Sequence, residues 1–286
     1  MPGVFVAIWS TGFVVARLAM PHVPPLTFLC WRYALSVLGF VAWARWAGVA
    51  WPDWRTGRTG RAQWLHLAAS GVLMHAGYLG GVWAAVRAGA PAGTVALIVG
   101  LQPLLTALWE SSRGQHQVRP LQWAGLALGL AGLALVVAPK LGAGILTPFN
   151  LGLTVLALLC ITAGTLYQKR FVQPIDVRSG NAVQLAAALV VTLPLAALEH
   201  APMVWNADVL IAMAWSVGML SLGGSSLLMM LIQRGAATRV TSLMYLVPPC
   251  TALLAWALFS EPLTPAVLGG MALCAVGVAL VRRGDA

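Results

Sequence analysis

The chain has 286 residues, of which 60% are hydrophobic and 8% are charged, and its formal net charge is +10. Soluble domains carry charge on about 25% of their residues, so this composition excludes an ordinary soluble protein and indicates an integral membrane protein. The basic residues lie singly or in small groups between apolar runs, which argues against nucleic-acid binding despite the positive charge.

Ten apolar runs are long enough to cross a membrane, because about 20 mostly apolar residues span the roughly 30 Å hydrocarbon core as a helix. Polar or proline-containing breaks, such as 51–61 and 111–120, separate most of them. In chain order, the predicted transmembrane helices are 3–20, 26–46, 63–86, 91–110, 120–138, 150–169, 179–198, 208–233, 238–259 and 265–281. The predicted fold class is an all-α membrane protein with ten transmembrane helices.

Lys and Arg residues divide unequally between the two sides of the membrane if these helices alternate in direction. Cytoplasmic loops carry an excess of both residue types, whereas acidic residues contribute little to orientation. Thirteen of the 17 Lys and Arg residues fall on the side of the N-terminus: Arg45, Arg55, Arg58, Arg61, Arg113, Arg119, Lys169, Arg170, Arg178, Arg234, Arg239, Arg282 and Arg283. We therefore expect both termini to be cytoplasmic.

The two halves of the chain match when residue n is laid on residue n+145. The matching pairs include Pro103 with Pro248, Thr106 with Thr251, Pro120 with Pro265, Gly125 with Gly270 and Gly132 with Gly277. An offset of 152 places Gly12 on Gly164 and Arg17 on Lys169. Because each copy holds five spans, an odd number, the second copy must be inverted relative to the first. The sequence therefore predicts two inverted five-helix repeats, 1–140 and 148–283, an arrangement typical of secondary transporters.

Prolines interrupt two of the predicted spans at matching places. Pro103 cannot donate to the carbonyl of Val99, and Pro248 and Pro249 free two further carbonyls in the ninth span. A membrane tolerates such carbonyls only where protein, water or a substrate satisfies them. One proline alone is more often a packing kink, but the matched set predicts hinge or gating residues at Pro103, Pro248 and Pro249.

Three runs of the sequence resemble the EamA repeats of the drug/metabolite transporter superfamily. They are WSTGFVVARLAM, PPLTFLCWRYALS and YLVPPCTALLAWALFSEPLTPAVLGGMALCAVGVALV. The resemblance implies a ten-helix, exporter-like carrier of amino acids or similar metabolites in the bacterial inner membrane, with a cavity formed mainly by spans 1, 3, 4, 6, 8 and 9. His116 stands where the first repeat of this family usually has a Glu, so no role of that carboxylate carries over.

Several polar and aromatic side chains lie at mid-depth on the predicted spans. His75 and Tyr78 share one helical face of span 3, and an ionisable residue inside a span is costly unless it faces a cavity or a partner. Aromatic, hydroxyl, amide and imidazole groups suit a neutral or zwitterionic solute. The candidate substrate-binding residues are Trp9, Thr11, His75, Tyr78, Gln102, Thr162, Ser221, Ser225 and Tyr245. Close helix packing is the alternative for the serines, and a hydrogen-bonded core histidine is the alternative for His75.

Arg32 is the one cation well inside a span, where insertion costs roughly 2.5–3.5 kcal/mol at the helix centre. Its side chain either snorkels to the outer surface or pairs with a carbonyl, or it binds a substrate carboxylate. The spacing of residues does not decide between these interpretations.

Enzyme motifs are absent from the sequence. There is no GxxxxGK[ST] phosphate loop, no GxSxG nucleophile motif and no span with two carboxylates, and the histidines are scattered singly, so we expect no cofactor and no metal. None of the seven acids lies at mid-depth. We therefore predict an uncoupled, monomeric secondary carrier that exports amino acids or similar small neutral or zwitterionic metabolites. A proton-coupled drug/metabolite antiporter, a membrane-embedded lipid-modifying enzyme and a channel remain alternatives.

Overall fold

The computed structural model describes residues 2–49, 51, 57–112, 120–233 and 247–284, and this part of the chain is helical with no strands. The prediction of an all-α fold is confirmed for these residues. In chain order the helices are α1 (Pro2–Ala19), α2 (Pro25–Trp46), α3 (Gly57–Gly71, Val72–Gly77 and Tyr78–Arg87), α4 (Ala92–Val99 and Gln102–Ser112), α5 (Pro120–Gly142), α6 (Pro148–Phe171), α7 (Val177–Ala196), α8 (Ala207–Trp215, Ser216–Ser225 and Ser226–Gln233), α9 (Val247–Phe259) and α10 (Pro265–Gly284).

Five helices among the described residues are long and apolar enough to cross a membrane: Pro25–Trp46, Trp123–Gly142, Pro148–Phe171, Val177–Ala196 and Ala207–Gln233. Shorter apolar helices are Gly3–Ala19, Ala92–Thr106, Val247–Phe259 and Pro265–Gly277. The first part of the predicted span 238–259 lies outside the described residues. The chain is thus a multi-pass helical protein, and the count of ten spans stays a prediction.

Two glutamates from the second half of the chain cap helices of the first half. Glu199 accepts hydrogen bonds from the backbone N–H groups of Leu26 and Thr27, at 3.0 and 2.8 Å, at the start of α2. Glu261 accepts one from the N–H of Ala92 at 3.1 Å, at the start of α4. Carboxylates bind well there because the first N–H groups of a helix have no partner within it and the helix dipole favours negative charge. Both acids therefore stabilise the same end of the helix bundle.

Helices α5 and α10 pack backbone against backbone. A Cβ added to Gly132 would lie 2.6 Å from the carbonyl oxygen of Gly270, and one added to Gly277 would collide with the carbonyl oxygen of Gly125. Between these two contacts, the thiol of Cys274 donates to the carbonyl of Gly129 at 3.4 Å. Residue numbers in the contacts rise along α5 and fall along α10, so the two helices are antiparallel.

Two helices contain π-helical segments, Val72–Gly77 in α3 and Ser216–Ser225 in α8. Such wider turns are rare and are frequent at functional sites. Helix α4 is interrupted at residues 100–101, next to α9, where a Cβ on Gly100 would lie 2.6 Å from the ring of Pro248. These three irregular places surround the centre of the bundle.

Candidate functional site

A cavity lies between α1, α2, α3 and α8, and we call it the central cavity. Its aromatic lining residues are Trp9, Phe13, Tyr78 and Trp83, and its other polar lining residues are Arg32, His75 and Ser225. None of its lining residues is an acid. Mainly aliphatic side chains complete the wall, so the cavity offers one guanidinium, one imidazole, two hydroxyl groups and several aromatic surfaces.

A second cavity, here called the proline cavity, shares lining residues with the first. Gln102 and Pro103 of α4 line it, together with Val247 of α9. Trp9 and Tyr78 line both cavities, and their rings stack at 6.3 Å between centroids with 4° between planes. This stacked pair forms part of the partition between the two cavities.

Arg32 reaches the central cavity from α2 and is only 4% exposed. Its Nε donates to the hydroxyl of Ser221 at 3.1 Å, and its guanidinium carbon lies 6.0 Å from the ring centre of Trp83. Its Nη1 is buried and has no hydrogen-bond partner among the described residues. Ser221 therefore holds the guanidinium inward, while Nη1 stays without a hydrogen bond.

The π-helical segment of α3 positions His75 on the cavity wall. The phenol of Tyr33 donates to the backbone carbonyl of His75 at 2.9 Å, and the two rings meet edge to face with 6.3 Å between centroids. A side-chain donor from α2 thus satisfies a carbonyl of the irregular turn, as a buried backbone group requires. His75 and Tyr78 are both buried, and both line the central cavity.

Other predicted binding residues make different contacts. Thr11 donates to the carbonyl of Ile8 at 2.6 Å and accepts from the indole of Trp215 at 2.8 Å, and it is not among the lining residues of either cavity. Thr162 donates to the carbonyl of Leu158 at 2.7 Å and is likewise absent from both linings.

The remaining candidates divide between the two cavities. Gln102 lines the proline cavity, and its amide donates to Thr165 at 3.1 Å. Ser225 lines the central cavity, with a hydroxyl that donates to the carbonyl of Leu220 at 3.4 Å. Tyr245 lies outside the described residues, and Pro249 is half-buried at the start of α9.

Arg32, Met74 and Trp83 line the central cavity but were not among the predicted binding residues. The sequence singled out Arg32 as a cation within an apolar run, but it did not determine whether the side chain points to the surface or to the cavity. Met74 and Trp83 carried none, because the π-helical segment shifts which side chains of α3 share a face. Within the described residues, no group of three His, Cys, Asp or Glu side chains is placed to hold a metal ion.

Comparison with known proteins identifies relatives over the whole chain. The model of the EamA-like transporter family matches residues 4–138 and again 149–283. The chain is 26% identical over 282 residues to the "Uncharacterized inner membrane transporter YedA" of Escherichia coli K12, covering 97% of this chain and 88% of that protein. It is 24% identical over 286 residues to the "Probable amino-acid metabolite efflux pump" of Salmonella typhimurium LT2, covering 96% and 90%. A solved crystal structure of 20% identity superposes with a TM-score of 0.70 and covers 98% of this chain and 95% of its own, which shows a shared fold.

Proposed function

The chain belongs to the EamA-like transporter family, and from that premise we propose that it exports amino acids or similar small metabolites across the bacterial inner membrane by alternating access. The observation that carries the proposal is the central cavity, whose aromatic, imidazole and hydroxyl groups suit a small, partly apolar, neutral or zwitterionic solute. One curated relative is named for amino-acid metabolite efflux, which agrees with this solute class. Enzymatic activity forms no part of the proposal.

We propose that the two halves are inverted repeats, and reciprocal contacts between α5 and α10 support this. At the offset of 145, Gly125 corresponds to Gly270 and Gly132 to Gly277. The correspondence between the halves therefore turns the contact of Gly132 with Gly270 into the contact of Gly277 with Gly125. Such an exchange of contacts is what a two-fold axis requires. Because the two helices are antiparallel, such an axis is perpendicular to them. In a membrane it would lie in the bilayer plane, which is the geometry of inverted repeats.

The π-helical segments support alternating access. Val72–Gly77 lies in α3 and Ser216–Ser225 in α8, which are the third helices of the two predicted repeats. Each half thus contributes a matching irregular turn to the central cavity. The two π-helical segments and the interruption of α4 beside Pro248 are places where helices can bend. Bending there leaves the regular hydrogen bonds of the adjoining helical turns intact.

Orientation, energy source and oligomeric state complete the proposal. The Lys and Arg asymmetry supports cytoplasmic termini. Neither cavity is lined by an acid, which supports uncoupled transport driven by the solute gradient. We propose a monomer because the glycine-rich face of α5 is occupied by α10 of the same chain.

Counterflow in proteoliposomes tests the proposed function. Vesicles containing the purified full-length chain are loaded with an unlabelled amino acid, and the labelled form is added outside. A carrier gives a transient, saturable accumulation of label, because exchange is faster than net flux. Repeating the assay over the proteinogenic amino acids identifies the preferred solute. Label entry that is linear in concentration and independent of internal solute for every amino acid would exclude an amino-acid carrier.

A further inference from the structure

We propose that Arg32 binds the carboxylate of the transported solute, so that the central cavity selects carboxylate-bearing metabolites. This inference rests on the proposed function and adds the chemical group by which the solute is recognised. The position and hydrogen bonding of the guanidinium carry it, and a comparison within the chain supports it.

One nitrogen of the Arg32 guanidinium has a hydrogen-bond acceptor in the protein, and another has none. Arginine has five N–H donors in a fixed plane and no acceptor, so a buried guanidinium needs several acceptors. Nε donates to Ser221, but Nη1 has no partner among the described residues, and Arg32 lines the cavity. A buried donor without an acceptor is unfavourable. An oxygen atom of a solute in the central cavity would remove that penalty.

The charge of Arg32 also has no described protein counter-charge. None of the lining residues is an acid, and no acid among the described residues lies within ion-pair distance of Arg32. A carboxylate matches the fork of the guanidinium and forms charge-assisted hydrogen bonds, which are stronger than neutral ones. The inward bond to Ser221 and the 4% exposure of Arg32 oppose the alternative that its side chain snorkels to the surface.

The second half of the chain carries a neutral residue at the corresponding place. With the offset of 152, Arg32 corresponds to Gln184, which is 2% exposed. Its amide donates to the hydroxyl of Ser70 at 2.8 Å and to the side-chain oxygen of Gln168 at 2.9 Å. Both residues thus bind a serine of the opposite half, but Gln184 has both amide hydrogens bonded and carries no charge. The second half therefore folds with a neutral side chain at the corresponding position. We assign the charge of Arg32 in the first half to binding a solute in the central cavity.

The lining provides no acid for an ammonium group, so recognition is expected to depend on the carboxylate rather than on the zwitterion. The probes are the amino acid with the largest counterflow, its carboxamide, which lacks the carboxylate, and its N-acetyl derivative, which lacks the ammonium. In the wild-type chain we expect the acid and the N-acetyl form to compete well for counterflow. The carboxamide should compete about ten- to hundredfold less well, the range for one lost hydrogen bond to a charged group.

Arg32→Gln introduces the residue found at the corresponding place and tests the assignment directly. We expect it to raise the half-saturation concentration of the acid by about ten- to hundredfold and to change that of the carboxamide less than about twofold. Arg32→Lys should retain part of the preference, since it keeps the charge but loses the planar fork. Arg45→Gln is the matched control, because Arg45 lies exposed on the same helix, and it should keep the full preference.

Three outcomes would overturn the inference. If Arg32→Gln weakens acid and carboxamide equally, or keeps the preference for the acid, Arg32 has a structural role only. If Arg32→Gln does not fold, the wild-type chain provides the test. Equal competition by the acid and the carboxamide for wild-type counterflow would show that Arg32 does not bind the carboxylate. If the wild-type chain shows no counterflow with any probe, the proposed function itself fails and this inference with it.

Discussion

Replacing Gly132 by Ala should destabilise the chain, because the new methyl group has no space between α5 and α10. Its Cβ would lie 2.6 Å from the carbonyl oxygen of Gly270, 2.9 Å from the Cβ of Leu273 and 3.0 Å from the backbone nitrogen of Cys274. Two of these atoms belong to the backbone, so the clash is relieved only if the helices separate. Overpacking of this kind costs about 1–3 kcal/mol. Ala is favoured over Gly in a helix by about 0.5–1 kcal/mol, so we expect a net loss of about 1 kcal/mol.

Thermal unfolding in detergent, followed by size-exclusion chromatography with fluorescence detection, measures this loss. A net cost of about 1 kcal/mol corresponds to a decrease in Tm of roughly 2–4 °C. The matched control is Gly152→Ala in α6, where an added Cβ would meet no atom within 4 Å and the Tm should not fall. Gly277→Ala makes the reciprocal contact and should lower the Tm to a similar extent. A Tm of Gly132→Ala equal to or above that of Gly152→Ala would refute the reasoning.

Three further predictions concern transport. Pro103→Ala and Pro248→Ala should keep the wild-type Tm within a few degrees but slow counterflow, because a regular helix bends less readily; unchanged flux in both variants would reduce these prolines to packing kinks. A cysteine in place of exposed Pro174 should be inaccessible to an impermeant thiol reagent added to intact cells, whereas one in place of exposed Ala201 should react; the opposite pattern would reverse the proposed orientation. An imposed proton or sodium gradient should not raise the internal solute concentration above equilibrium, since neither cavity is lined by an acid. If the wild-type chain does accumulate solute and His75→Gln does not, His75 is the coupling group instead.

The positions of the helices could be predicted from the sequence because a membrane imposes a narrow range of lengths on apolar runs. The predicted span 26–46 and the helix Pro25–Trp46 differ by one residue at the start. Agreement is poorer where a helix continues beyond the apolar run. Helix α3 begins at Gly57 rather than at the predicted 63, since polar residues can extend a helix outside the hydrocarbon core.

The site was predictable only in part, because depth in a span does not determine the direction of a side chain. His75 and Tyr78 follow helical spacing from one face and both line the central cavity, while their binding of a solute stays a prediction. Thr11 and Thr162 lie at suitable depth, but each hydroxyl bonds a carbonyl three or four residues earlier in its own helix, a local alternative always open to threonine. For Arg32, the decisive observation was its hydrogen bond to Ser221, 189 residues away in the chain, which no local pattern contains.

The glycine contacts between α5 and α10 also restrict how the two halves can move. A shift of one residue along a helix is a translation of about 1.5 Å, and here it would drive neighbouring Cβ atoms into the facing backbone. No described lining residue of the central cavity or the proline cavity comes from α5 or α10. We therefore expect the two helices to act as a fixed pivot, about which the halves can rock but along which they cannot slide past each other.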